Sequence, residues 1–412
     1  MTHPMANDNR RRTVLALLCV LMWHPTTNGQ DQKQTTNTVR VATFNVSLNR
    51  PTGGQLARDL AAANPQARNV ARILREVRPD IVLLNEFDYD PTGESIRLFL
   101  NNYLNAPKTS EDSSEPLHYA YSFAADVNTG VPSGMDLNKN GKTDDPADAF
   151  GFGRFPGQYG MVVLSRFPIQ QDAVRTFQKL LWQDMPEAAV PVDPASNQSW
   201  YSADVWSRLR LSSKSHWDVP IHVGDSTLHV LACHPTPPAF DGPEDRNGRR
   251  NHDEIRLWAD YISPDRSDWI VDDKGRAGGL SDAASFVVMG DLNADPVDGD
   301  SYQHAIHQLL KHPRIHATLV PASAGATATA IAQGKTNSRQ SGNPAYDTAD
   351  FSDDSVGNLR IDYVLPSLNL DVDANGVFWP TADHGLHEAS QSSDHHLVWV
   401  DITPPRATKK AE

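Results

Sequence analysis

The stretch SFVVMGDLNADPVDGDS, Ser285 to Ser301, runs four apolar residues into a glycine and then sets Asp291, Asn293 and Asp295 at every second position. A strand that persisted past the glycine would point residues two apart to one side, so Asp291 and Asn293 would project together from the end of a buried strand. The plainer reading is an Asn/Asp-rich turn, in which these side chains bond their own backbone. On this stretch alone the turn is the better reading, and the remainder of the chain decides between the two.

Similar apolar runs recur. VRVATFNVSL (39–48) reads as a strand, and DIVLLNEFD is a second run of strand length. YGMVVLSRF (159–167), STLHVLACH (226–234), LRIDYVL (359–365) and HHLVWVDI (395–402) extend the series. Between them, QARNVARILREVRPD carries Val70, Ile73, Leu74 and Val77 at helical spacing, with Pro79 as the stop. RRNHDEIRLWADYI repeats that spacing through Ile255, Trp258, Ala259 and Ile262. Strands interleaved with helices predict an α/β or α+β layered domain, and unbroken apolar strands predict sheets covered on both faces. Irregular segments at 104–117, 124–158 and 176–204, and a polar loop at 337–358, are long enough to be insertions that decorate or gate a site. No repeat interrupts the pattern. One domain is expected over residues 39–403, between disordered tails at 30–38 and 404–412.

The chain has 412 residues, a hydrophobic fraction of 39%, a charged fraction of 21% and a net charge of −14. These values suit a soluble globular protein and argue weakly against a broad cationic face for gripping nucleic acid. Arg10, Arg11 and Arg12 precede the apolar run TVLALLCVLMW, which is too short to span a bilayer comfortably and is followed by polar sequence. Residues 1–29 are therefore expected to be a signal peptide, with the mature protein secreted, periplasmic or at the cell surface. Cys233 would then be its single cysteine, leaving no internal disulfide.

Polar residues gather where the apolar strands end: Asn45, Asn85-Glu86, His234, Asp291 with Asn293, Asp362, and Asp394-His395. Layered α/β folds place ligand sites at one edge of the sheet, so the joint pattern outweighs the ordinary explanation of each residue. In order, TFN, LLNE, GDLNADP, RIDYVL and SDHHLVWV resemble the endonuclease/exonuclease/phosphatase superfamily over roughly Val39 to Ile402. The resemblance implies a four-layer, DNase I-like sandwich, with two packed mixed β-sheets flanked by helices. It also implies water attack on a phosphate ester. Asn45, Glu86 and Asp394 match the oxygen set for a hard cation, Mg²⁺ or else Mn²⁺ or Ca²⁺. Asp291 matches the position that orients or deprotonates the attacking water, and Asn293 the one holding the nucleophile and a phosphate oxygen. His395 resembles the histidine that donates to the phosphate or its leaving oxygen, held in its tautomer by Asp362, and His234 the second phosphate donor.

Strand alternation predicts that His396 packs away from the site, that Cys233 is core, and that Asp295 is a loop or cap residue. Arg249, Arg250 and Arg256 follow His234 closely but read as helix-face residues. In MDLNKNGKTDDPADAF, Asp136, Asn138, Asn140 and Gly141 match the opening of a calcium loop, while the usual closing position is Ala147, with Asp148 one late and Asp144 a substitute. A plain turn and a structural Ca²⁺ site both fit, and export to a calcium-rich medium favours the ion. The expected function is a secreted metal-dependent phosphoesterase, a monomer without stable membrane insertion, acting on a small organic phosphate or on nucleic acid. The alternatives are an extracellular endonuclease and a non-catalytic calcium-stabilised module on the same fold.

Overall fold

A computed structural model describes residues 38–108 and 112–403. The expected signal peptide and tails, Thr38 apart, lie outside the described residues. In chain order the strands are β1 Val39–Leu48, β2 Ile81–Phe87, β3 Tyr121–Phe123, β4 Met161–Ser165, β5 Arg175–Thr176, β6 Val192–Asp193, β7 Gln198–Ser199, β8 His216–Val223, β9 Ser226–Cys233, β10 Ser285–Asp291, β11 Ala349–Asp350, β12 Asn358–Leu359, β13 Asp362–Pro366, β14 Asp371–Phe378 and β15 Leu397–Thr403. Two mixed sheets dominate. One runs β14-β15-β1-β2-β4-β3 and the other β13-β10-β9-β8-β5.

Alternation along the strands explains the layering. Val41, Leu83 and Val163 of the first sheet share one buried cluster with Val219, Val230, Val287 and Val364 of the second. Their neighbours Ala42, Val82, Leu84 and Val162 turn the other way, into a cluster with Val70, Ile73, Leu74 and Val77 of the helix Pro65–Val77. Asn64 caps that helix by accepting from Ala67 N at 2.9 Å, Pro65 opens it, and Arg78 closes it in the left-handed region. On the far side, Leu231, Phe286, Val288 and Leu365 bury against Ile255, Trp258, Ala259 and Ile262, the stripe of the helix Arg246–Tyr261. The result is the expected order of helix, sheet, sheet and helix.

The pairing of the strands fixes where their polar ends fall. β1 and β2 run parallel with Asn45 opposite Asn85, and β9 runs parallel to β10 with Ala232 opposite Met289. β13 and β15 run antiparallel to their neighbours, so they start at the edge where β1, β2, β9 and β10 finish. The register then sets Asp291 directly beside Asp362. Gly290 is required here: its φ is 149°, and a Cβ would stand 1.9 Å from the Cys233 carbonyl oxygen. β8 and β14 have no counterpart among the strands read from the sequence. His216–Val223 alternates buried Trp217, Val219, Ile221 and Val223 with His216, Asp218, Pro220 and His222, so a proline interrupts the strand pattern, and Asp371–Phe378 is a partly exposed strand at a sheet edge.

Candidate active site

At the shared edge, Asp291 is the hub. Its Oδ2 accepts from Asn45 Nδ2 at 3.1 Å, lies 3.3 Å from His234 Nε2 and stands 3.7 Å from His395 Nε2. Its backbone N–H donates to Asn85 Oδ1 at 3.2 Å, and Asn85 also takes the Thr43 hydroxyl and reaches the Cys233 carbonyl, stitching the two sheets together. His395 lies between two carboxylates. Its Nδ1 is 2.9 Å from Asp362 Oδ2, which also accepts from Thr348 Oγ1 at 2.8 Å, and its Nε2 faces Asp291. Ser393 Oγ accepts from His395 N and donates to the Asn45 carbonyl, tying the entry of β15 to β1.

The charges follow from this arrangement. Burial opposes ionisation of Asp291, yet His395, His234 and Asn45 together hold its carboxyl well below the usual carboxylate range. Burial likewise opposes the imidazolium of His395, but Asp362 and Asp291 raise it well above the ordinary histidine value. Burial pushes Asp362 up to about 6 against the pull of His395. His234 moves the other way, lowered by burial and by the nearby Lys214. The local fields therefore favour the ionised form of Asp291 and the protonated form of His395, while burial favours the neutral form of His234.

Asp291 and Asn293 do not alternate on a continuing strand. β10 ends at Asp291, Asn293 is left-handed with φ 52°, and its N–H bonds Asp291 Oδ1 at 3.0 Å. The segment is the Asx turn of the plainer reading, and that turn delivers the site: it fixes the Asp291 carboxylate and sends Asn293 Nδ2 to the Pro235 carbonyl, 3.2 Å away. Asp295 repeats the device, accepting from Val297 N and Asp298 N, and from Arg360 N across the sheet edge.

The oxygen donors surround the end of β1. The β1–β2 register shifts between Asn45 and Leu48, where Ser47 (φ 47°) and Glu86 (φ 57°) both leave the extended region. Glu86 is part-exposed, with Oε2 bonded by Asn49 Nδ2 at 2.7 Å. Ser47 connects the other two donors, with its N–H on Asn45 Oδ1 at 3.2 Å and its hydroxyl on exposed Asp394 Oδ1 at 3.2 Å. Two carboxylates and a buried amide oxygen are the kind of donors a hard cation takes. A tighter trio, Asp291, Asp362 and His395, has ligand atoms within 4.8 Å of one another. Each carboxylate of that trio already faces one ring nitrogen, so its geometry suits holding a proton better than holding a metal.

Of the remaining sequence candidates, His396 is buried and stacks on Trp379 at 3.8 Å, Cys233 is buried, and the arginines are tied to backbone carbonyls. Arg250 reaches the carbonyls of Leu211, Phe150 and Arg210, while Arg249 reaches Val190 and Tyr302. Trp200, Tyr201 and Trp206 pack among Lys139, Arg246 and Trp182. In the insertion turn, Asp136 accepts from Asn140 N and Gly141 N, and Asn138 also from Asn140 N. Buried Asp148 accepts from Leu137 N at 2.9 Å across the turn, and Asp144 is exposed. Sequence reasoning missed Lys214 and Glu254. Lys214 sits in a run of ordinary polar residues, and Glu254 reads as a solvated helix residue, yet both are buried beside the site.

A family model described as the Endonuclease/Exonuclease/phosphatase family matches residues 42–395. Among solved structures, an endonuclease/exonuclease/phosphatase from Beutenbergia cavernae is 18% identical, covering 89% of this chain and 72% of that one at a TM-score of 0.47. Sphingomyelinase C from Streptomyces griseocarneus is 16% identical over 88% of this chain and 99% of its own, TM-score 0.41. The beta toxin of Staphylococcus aureus, with bound magnesium ions, is 12% identical over 89% and 99%, TM-score 0.42. No curated protein matches the chain.

Proposed function

The chain belongs to the endonuclease/exonuclease/phosphatase family, and we propose that it is a secreted, divalent-metal-dependent phosphoesterase that hydrolyses phosphate mono- or diesters by attack of water on phosphorus. Members of that family are in general metal-dependent hydrolases of phosphate esters. One observation carries the reading for this chain: the Asp291 carboxylate is fixed by Asn45 and His234 beside the His395–Asp362 pair, although these residues lie up to 350 positions apart.

Asp291, ionised and held by its turn, orients the attacking water and accepts its proton as the bond to phosphorus forms. His395 donates from Nε2 towards the phosphate or the departing oxygen, while Asp362 holds Nδ1 and so fixes the ring. Asn293 and His234 bind non-bridging oxygens. Glu86, Asp394 and Asn45 hold the cation, Mg²⁺ in our reading, which when bound supplies positive charge to a phosphoryl oxygen. Secretion rests on Arg10–Arg12 preceding an apolar run of signal length.

A nuclease would use the same chemistry. The net charge of −14 and the engagement of Arg249 and Arg250 with the protein itself favour a smaller phosphate ester. A non-catalytic module has no need for a complete set of Glu86, Asp291, Asn293 and His395. The test is hydrolysis of p-nitrophenyl phosphate, bis-p-nitrophenyl phosphate and plasmid DNA, with and without EDTA, by wild type and Asp291→Ala. Activity that survives complete chelation, or that is undiminished in the variant, overturns the mechanism, and the three substrates separate monoester, diester and nucleic acid.

A further inference from the structure

Ser212–His216, SSKSH, is five polar residues in a row, all buried. Most of their polar groups are accounted for. Glu254, itself buried, spreads its carboxylate over two backbones, accepting from Ser213 N and from Thr236 N at 2.6 Å each. Asn128 of the long insertion donates to the Lys214 and Ser212 carbonyls, and His216 bonds Ser212 Oγ and the Glu254 carbonyl. The clamp thereby locks the segment around Lys214 against the segment that follows His234.

The Lys214 ammonium is the exception. The residue is 6% exposed, and among the described residues the ammonium's one hydrogen bond is a long one, 3.4 Å to the Pro235 carbonyl. Asn293 Nδ2 points at the same oxygen from 3.2 Å, so two donors converge beside His234. Burial lowers the Lys214 amine, while the fields of Glu254, Glu86 and Asp291 oppose that shift, although it forms an ion pair with none of them. Ser213 Oγ and Thr236 Oγ1, on the two clamped backbones, are buried with no hydrogen-bond partner. A buried ammonium with one weak acceptor is costly unless an anion completes its coordination.

We propose that Lys214 is the fixed cation of the phosphate pocket, its ammonium donating to a non-bridging oxygen of the substrate phosphate next to Asn293. This deepens the phosphoesterase reading and rests on it for the identity of the ligand. Lysine suits the role as a compact point charge with three donors, of which Pro235 engages one. Glu254 acts through it as a positioning residue.

The experiment is calorimetric titration of the full chain with inorganic phosphate, with and without Mg²⁺, for wild type, Lys214→Met, Lys214→Gln and the exposed control Lys311→Met. Thermal midpoints and kcat/KM on bis-p-nitrophenyl phosphate are measured in parallel. Both Lys214 variants are expected to bind phosphate at least tenfold more weakly and to lose at least tenfold in kcat/KM. Their midpoints should be unchanged or higher, because an unpaired buried charge has been removed. Phosphate affinity within twofold of wild type in a folded variant overturns the proposal. So does collapse of both variants, which would make the ammonium a structural counter-ion of Glu254. Lys214-dependent phosphate binding by a wild type that hydrolyses no ester would leave this assignment standing and remove the enzymatic reading; hydrolysis undiminished in Lys214→Met would do the reverse.

Discussion

Asp362→Asn isolates the contribution of one charge. The amide oxygen can occupy the place of Oδ2 and still accept from Thr348 and from His395 Nδ1, at the wild-type distances of 2.8 and 2.9 Å. The NH₂ group falls where Oδ1 is buried without a hydrogen-bond partner, which costs about 1–3 kcal/mol of stability. What disappears is the negative charge that supports the His395 imidazolium. At about 4 Å and an effective dielectric of about 20, that charge is worth about 4 kcal/mol. Asp291, 3.7 Å from Nε2, retains part of the support, so the expected loss in transition-state stabilisation is about 2–4 kcal/mol, or roughly 30- to 1000-fold in kcat/KM. The assay compares diesters with p-nitrophenolate and with simple alkoxide leaving groups at saturating Mg²⁺. If His395 protonates the departing oxygen, the alkoxide ester suffers the larger loss, because p-nitrophenolate leaves with little need of a proton. Equal losses would reduce His395 to a phosphate donor. A change below threefold on both substrates, in a variant with normal thermal stability, would refute the assignment of the pair.

Two further outcomes follow from buried carboxylates. Glu254→Gln keeps one acceptor for the two 2.6 Å backbone bonds and places an NH₂ against the other amide, so a cost of about 2–3 kcal/mol, a Tm lower by about 3 °C and a raised KM are expected; a calorimetric scan with an unchanged Tm would refute the clamp. Asp347 is pushed up to about 7 by burial and by Asp295 and Asp298. Its folded pKa exceeds the unfolded value of 3.8, so the folded protein binds the extra proton between those limits and stability falls as pH rises through that window. Asp347→Asn is therefore expected to be the more stable protein above pH 7, by about 1–2 kcal/mol after allowance for solvent screening, with the advantage vanishing below pH 3.8; parallel melting curves of the two proteins at every pH would contradict this.

Much of the architecture was legible because apolar periodicity is local. β1 matches the strand read from residues 39–48, and the helices at 65–77 and 246–261 lie within a few residues of the expected stretches. β8 carries the strand alternation in Trp217, Val219, Ile221 and Val223, all buried between the sheets, but Pro220 in its middle ordinarily argues against an interior strand. The site was legible as a set of strand ends, since chemistry-bearing residues followed apolar runs. The alternation argument for Asp291 and Asn293 failed in its mechanism: an Asx turn, rather than a pleat, brings them to the edge.

The sequence by itself determined the layered sheets, the polar strand ends and the identity of the acids, amides and histidines, because each depends on residues near one another in the chain. Tertiary structure alone decided that Asp291 meets Asp362 in register, that His395 lies between them, and that Lys214 and Glu254 are buried beside His234. Burial and proximity are properties of strand register and sheet packing, and they convert an unremarkable lysine in a polar run into a desolvated charge in want of an anion.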